Sequence, residues 1–155
     1  MTNFTQRIYR GHVAAWALVA TVLLSTCPVE VVHAENSQAQ YEVVGRWRLT
    51  AAIDGAEMVS LDEYEARQLV GKTFVIEKHR IQFRDSVCRS PDFSTELVEP
   101  RLYLAEYYHA SAEKLGLPNP VSVVHLDCTS VFVKSQNRLV IAWKGWFFDA
   151  TRIRR

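Results

Sequence analysis

Residues 121–153, VSVVHLDCTSVFVKSQNRLVIAWKGWFFDATRI, decide the reading of this chain. They fall into four short runs, Val121–Asp127, Ser130–Lys134, Arg138–Trp143 and Trp146–Ile153. The joints between them, Cys128-Thr129, Gln136-Asn137 and Lys144-Gly145, are too short for anything but tight turns. Runs rich in Val, Ile, Phe and Trp with two-residue joints predict antiparallel strands in a meander. Alternate strand residues face opposite ways, so Trp146 and Phe148 oppose Phe147. One side therefore shows an aromatic outward, as a stacking platform for a sugar or a partner loop, or the sheet is covered by a helix; a core hairpin covered by the 101–115 helix is the ordinary reading.

Working back along the chain, the same alternation recurs. Tyr41, Val43, Trp47 and Leu49 share one face of a first strand, and Asp54-Gly55 ends it as a turn. Lys72–Lys78 and Arg80–Arg84 read as two more strands, Cys88–Asp92 as a loop and 93–98 as a further strand. Ser60 caps a helix over 61–70, with Glu63 reaching back and Gly71 stopping it. Pro100 opens a second helix, Arg101 to Leu115, whose apolar stripe is Leu102, Ala105, Tyr108, Ala112 and Leu115. The fold class is therefore mainly β (α+β). About eight antiparallel strands form an up-and-down barrel or a coiled sheet, with two short helices. The inward residues Trp47, Phe74, Phe83 and Trp143 are bulky and predict a filled interior.

The N-terminus is an address. Arg7 and Arg10 precede an apolar run, Val13 to Leu24, and Val32-His33-Ala34 precedes Glu35. This is the pattern of a signal peptide over 1–34, cut between Ala34 and Glu35. Twelve apolar residues are too few for a bilayer core, which takes about 20. Leu24-Ser25-Thr26-Cys27 is the competing reading, a lipobox that would lipidate Cys27, although Thr26 departs from its pattern. Either way the mature protein is expected in the periplasm or secreted, with no stable membrane span after leader removal. Residues 35–40 are a polar linker, and 41–155 are the folded domain.

The 155 residues carry 18 basic and 17 acidic side chains, a net charge of +1. Removing the leader takes away two bases and one acid and leaves a balance of zero. That excludes a protein built to grip nucleic-acid phosphates. Cys88 and Cys128 remain after cleavage, and an even pair in an oxidising compartment predicts a disulfide.

No G-x-S-x-G, H-E-x-x-H, P-loop or dinucleotide glycine motif is present. His125 and Asp127 lie two apart on one strand face, the spacing of a base with its orienter or of two metal ligands; the ordinary reading is two exposed polar residues alternating with core Val124, Leu126 and Cys128. Tyr107 and His109 fall off the apolar stripe of the second helix, and Trp146 belongs to the densest aromatic segment. With His125 and Asp127 they are the candidate binding residues. No catalytic residue, metal site or cofactor is predicted.

Gly45-Arg46-Trp47 at the start of the first strand resembles the G-x-W signature of lipocalin and calycin barrels. The resemblance implies that Trp47 closes the bottom of the barrel beneath a basic residue of the last strand, for which Arg152 is placed. Leu69-Val70-Gly71-Lys72-Thr73, Ile81-x-Phe83 and Cys88-x-x-Pro91-x-Phe93 also resemble small uncharacterised exported proteins of Gram-negative bacteria. Together these readings describe a non-catalytic exported barrel that binds a small apolar ligand or an envelope protein. The alternative is a periplasmic inhibitor of a lysozyme or protease.

Overall fold

In the computed structural model, residues 42–154 are described. The predicted leader, the Ala34/Glu35 cleavage site, Cys27 and the 35–40 linker lie outside them. Nine strands form one antiparallel sheet. They are β1 (Gly45–Gly55), β2 (Thr73–Glu77), β3 (Arg80–Phe83), β4 (Ser86–Arg89), β5 (Phe93–Val98), β6 (Val121–Leu126), β7 (Thr129–Ser135), β8 (Arg138–Trp143) and β9 (Trp146–Arg152). Their spatial order is β4-β3-β2-β1-β9-β8-β7-β6-β5. Every strand pairs with its neighbour in sequence except β4 with β5, and the first strand pairs with the last.

That single missing ladder defines the shape. β4 and β5 are the two ends of the sheet, yet only three residues separate Arg89 from Phe93. Four Cα steps of 3.8 Å bring those strand ends within about 15 Å of each other. The sheet therefore curls into a half-barrel, with an open seam between β4 and β5. The count is nine rather than eight because Ser86–Arg89, expected to run from a turn into a loop, pairs with β3 through Ile81 and Cys88.

Alternation sorts the side chains onto two cores. The inner face gathers Trp47, Leu49, Phe74, Ile76, Ile81, Phe83, Val124, Leu126, Ile141 and Phe148. Residues from β2–β3 and from β6, far apart in the sheet order, meet in this cluster because the sheet curls. Phe74 and Phe83 stack at 5.0 Å, and Trp143 stands edge-on to both. The outer face carries Val121, Val123, Phe132, Val140 and Phe147. Phe147 and Phe148 thus bury on opposite sides of one strand.

Each core has a helix as its cover. α1 (Glu63–Gln68) lays Ala66 onto the inner cluster, and Leu69 follows it. Its capping box is made by Asp62 and Glu65, not Ser60 and Glu63. Two S/D-x-x-E registers overlap here, and the later one lets Ala66 and Leu69 face the sheet. α2 (Pro100–Tyr108) covers the outer face with Tyr103 and Leu104. It is shorter than expected, because His109 adopts the left-handed conformation and caps it. The buried face is also rotated from the predicted stripe: Leu102 is 72% exposed.

The Gly45-x-Trp47 strand start is locked from across the sheet. Trp47 is fully buried, and its Nε1 donates to the Val43 carbonyl at 2.7 Å. Arg152, its register partner on β9, holds its guanidinium 4.2 Å from the Trp47 ring centroid. The same group donates to the carbonyls of Val44 (2.9 Å), Gln136 (3.1 Å) and Glu42. A Cβ on residue 45 would stand 2.6 Å from Arg152 Nη1, so a side chain there would push the guanidinium aside.

Candidate functional site

The interior of the half-barrel is packed, not hollow. Trp47, Phe74, Ile76, Leu139, Ile141 and Phe148 have no measurable exposure. A concave feature lies on the outer face, at one end of the sheet. There the β6–β7 and β8–β9 turns, the start of β5 and the end of α2 surround an open cleft of about 420 Å³. Its floor includes Tyr108, Ala142 and Phe147, and its polar wall includes Asp92, Ser94, His125, Asp127, Ser130 and Lys144.

Register explains why these side chains converge. In the β5–β6–β7 ladder Ser94 pairs with His125, and His125 with Ser130, so all three project from one face. Glu96 follows on the same face of β5. His125 Nε2 lies 2.7 Å from Glu96 Oε1 and 3.4 Å from the Tyr103 hydroxyl. Its Nδ1 lies 3.3 Å from Ser130 Oγ. In the tautomer whose Nε2–H donates to the carboxylate, Nδ1 accepts from the Ser130 hydroxyl. The imidazole is thus pinned by two strands and a helix.

The two tyrosines supply neutral phenols. Burial pushes the Tyr103 hydroxyl well above its ordinary range, and the nearby Tyr108 and Glu96 push it further. Burial also raises Tyr108, with the Ser130 hydroxyl partly offsetting the shift. Both remain protonated donors at neutral pH. The site is accordingly amphipathic: an aromatic floor beneath hydroxyls, an imidazole, two carboxylates and one ammonium.

Each residue singled out in the sequence has a definite place. His125 and Asp127 both line the cleft, but they do not form a pair. Glu96 takes the imidazole, while the Asp127 carboxylate accepts from the Asp92 backbone N–H at 3.1 Å. Tyr107 is 64% exposed, leans at a tilt against Tyr103 with ring centroids 4.8 Å apart, and lies outside the cleft lining. His109 is the exposed cap of α2 and also lies outside it. Trp146 does not line the cleft; it packs on the inner core and donates from Nε1 to the Leu61 carbonyl at 2.9 Å, so it fastens the loop before α1. The sequence reading missed Glu96, Ser130 and Tyr108 as a group, because only the β5–β6 register brings Glu96 to His125.

Cys88 and Cys128, expected as a disulfide, stand as two free thiols. They are neighbours nonetheless, lining one small cavity together. Among the described residues there is no group of three or more His, Cys, Asp or Glu side chains able to hold a metal ion. No helix among them is long and apolar enough to cross a membrane. Compared with known proteins, the chain matches no family model, no curated protein and no solved structure.

Proposed function

We propose that this chain is an exported binding protein that takes a small amphipathic ligand in the outer cleft, not inside the barrel. The observation that carries the reading is the contrast between the two concave spaces. The interior is filled by side chains with no measurable exposure, while the 420 Å³ cleft is open and lined by a pinned imidazole over an aromatic floor. Ligand sites combine an apolar lining with a few placed polar groups, and this cleft does so. A pre-set His125 and a neutral phenol at Tyr108 need no rearrangement to meet a ligand, which lowers the ordering cost of binding. The leader-like N-terminus supports export, and the balanced charge of the remainder suits a partner that is not a polyanion.

The test is native mass spectrometry of the protein purified from the envelope of its source, alongside His125→Ala. A small molecule carried by the wild type and lost in His125→Ala supports the reading. A stoichiometric protein partner retained by His125→Ala overturns it and favours the inhibitor alternative. An empty wild-type protein whose Ser94, His125 and Ser130 resonances stay fixed against a library of small amphiphiles also overturns it.

A further inference from the structure

We propose that Cys88 and Cys128, free thiols in this structure, oxidise to an intrachain disulfide that fastens the two ends of the curled sheet across its open seam. The sequence offers only an even pair of cysteines; their place in the topology says what a bond between them would do. Cys88 lies on β4, one terminal strand of the sheet. Cys128 lies in the turn between β6 and β7, next to the other terminal strand, β5. No ladder joins these two ends. Near this end of the seam the Asp92 N–H is bonded to the Asp127 carboxylate, and Cys88 and Cys128 line one cavity.

The surroundings suit a bond at this place. Both cysteines line one cavity of about 80 Å³, together with Ile81, Phe83, Val87 and Trp143. Cys88 packs against the inner core, whereas Cys128 is exposed, so an oxidant reaches the pair from solvent without unfolding the sheet. Burial and the adjacent Cys88 push the Cys128 thiol up, as expected of two thiols held side by side.

The reaction is thiol–disulfide exchange with a small disulfide such as oxidised glutathione. One cysteine thiolate attacks a sulfur of the oxidant and expels one glutathione thiolate, forming a mixed disulfide. The second cysteine, losing its proton, attacks the mixed disulfide at the protein sulfur and expels the second glutathione. Two cysteines are oxidised, one disulfide is reduced to two thiols, and the two cysteine protons pass to the released thiolates.

The inference concerns the covalent state of the fold and stands apart from ligand binding, so the two can fail separately. The full-length protein is incubated with oxidised glutathione, alkylated, digested and mapped by mass spectrometry. A peptide pair linked through Cys88 and Cys128, released by reductant, is the expected result. Amide exchange in β4 is expected to slow on oxidation relative to Cys128→Ser, which removes the exposed partner. Two alkylated cysteines at 88 and 128, a link from either to Cys27, or a link between two chains overturns the proposal. So does equal exchange in β4 for the linked and unlinked forms. Loss of ligand binding in either redox state bears on the cleft and leaves the seam bond untouched.

Discussion

Replacing Arg152 by alanine removes the lock over the first strand, and its cost follows from the contacts described. The guanidinium donates to three backbone carbonyls and covers the face of Trp47 at 4.2 Å. Hydrogen bonds from a charged donor contribute about 1.5–3 kcal/mol each when enclosed, but Arg152 is only half-buried, and water reaches the freed carbonyls. Roughly 0.7 kcal/mol per bond is the discounted figure. The cation–π contact adds about 1 kcal/mol. The expected loss is about 3 kcal/mol, a large part of the roughly 5–15 kcal/mol that holds a domain. At about 4 °C per kcal/mol the midpoint falls by roughly 12 °C.

Arg152→Lys keeps a cation near the ring but cannot reach three carbonyls, and is expected to lose about half as much. The assay is urea unfolding followed by tryptophan fluorescence, which reports on buried Trp47. A cycle with Trp47→Phe isolates the ring term. If Arg152→Ala unfolds within about 0.5 kcal/mol of the wild type at an unchanged slope, the contact is ornamental and the reasoning fails.

Three further expectations concern other parts of the fold. Gly145→Ala places a Cβ 2.5 Å from the Met58 carbonyl oxygen at a φ of +83°, whereas Gly71→Ala, at +85°, meets open space. Both pay about 1 kcal/mol for the left-handed backbone, but only the former forces a loop to move, so thermal melts should rank Gly145→Ala clearly lower. Leu104→Ala is expected to cost about 2–5 kcal/mol in denaturant titration, and Leu102→Ala almost nothing, because the helix buries the former and exposes the latter. Tyr103, Tyr108 and Cys128 all hold their protons more tightly when folded. Their stabilisation is present below the unfolded values, near 9 for the thiol and 10 for the phenols, and is lost as pH rises through the higher folded values. Unfolding midpoints of the reduced protein should fall above about pH 9, and a flat profile to pH 11 would contradict the assignment.

Where the chain signals its structure locally, the reading from sequence and the fold agree. β6 to β9 follow from alternation and from the joints at Gln136-Asn137 and Lys144-Gly145, both of which turn as expected. The bulky inner residues do fill the interior. β4 escaped notice because Ser86–Arg89 is a short, polar terminal strand whose identity comes from its partner, β3. The burying face of α2 was misjudged because tyrosines at 103, 107 and 108 surround it, and only the sheet beneath decides which are covered. The site was the least legible part. Glu96 reaches His125 across 29 residues through the strand register, and Asp127 turns to the Asp92 backbone instead.

The pairing of the first strand with the last sets the order in which the molecule can assemble. Trp47 meets Arg152 only when nearly all of the domain is available, since these ladder partners stand more than 100 positions apart. The meanders β2–β4 and β6–β9 close over tight turns, so their ladders form at small entropic expense, while β5 reaches β6 across residues 99–120, which include α2. The β1–β9 ladder spans the whole domain, and contacts of such separation slow folding. For a chain that emerges amino end first, Trp47 stays uncovered until the final strand appears, and the lock over it is the step that completes folding.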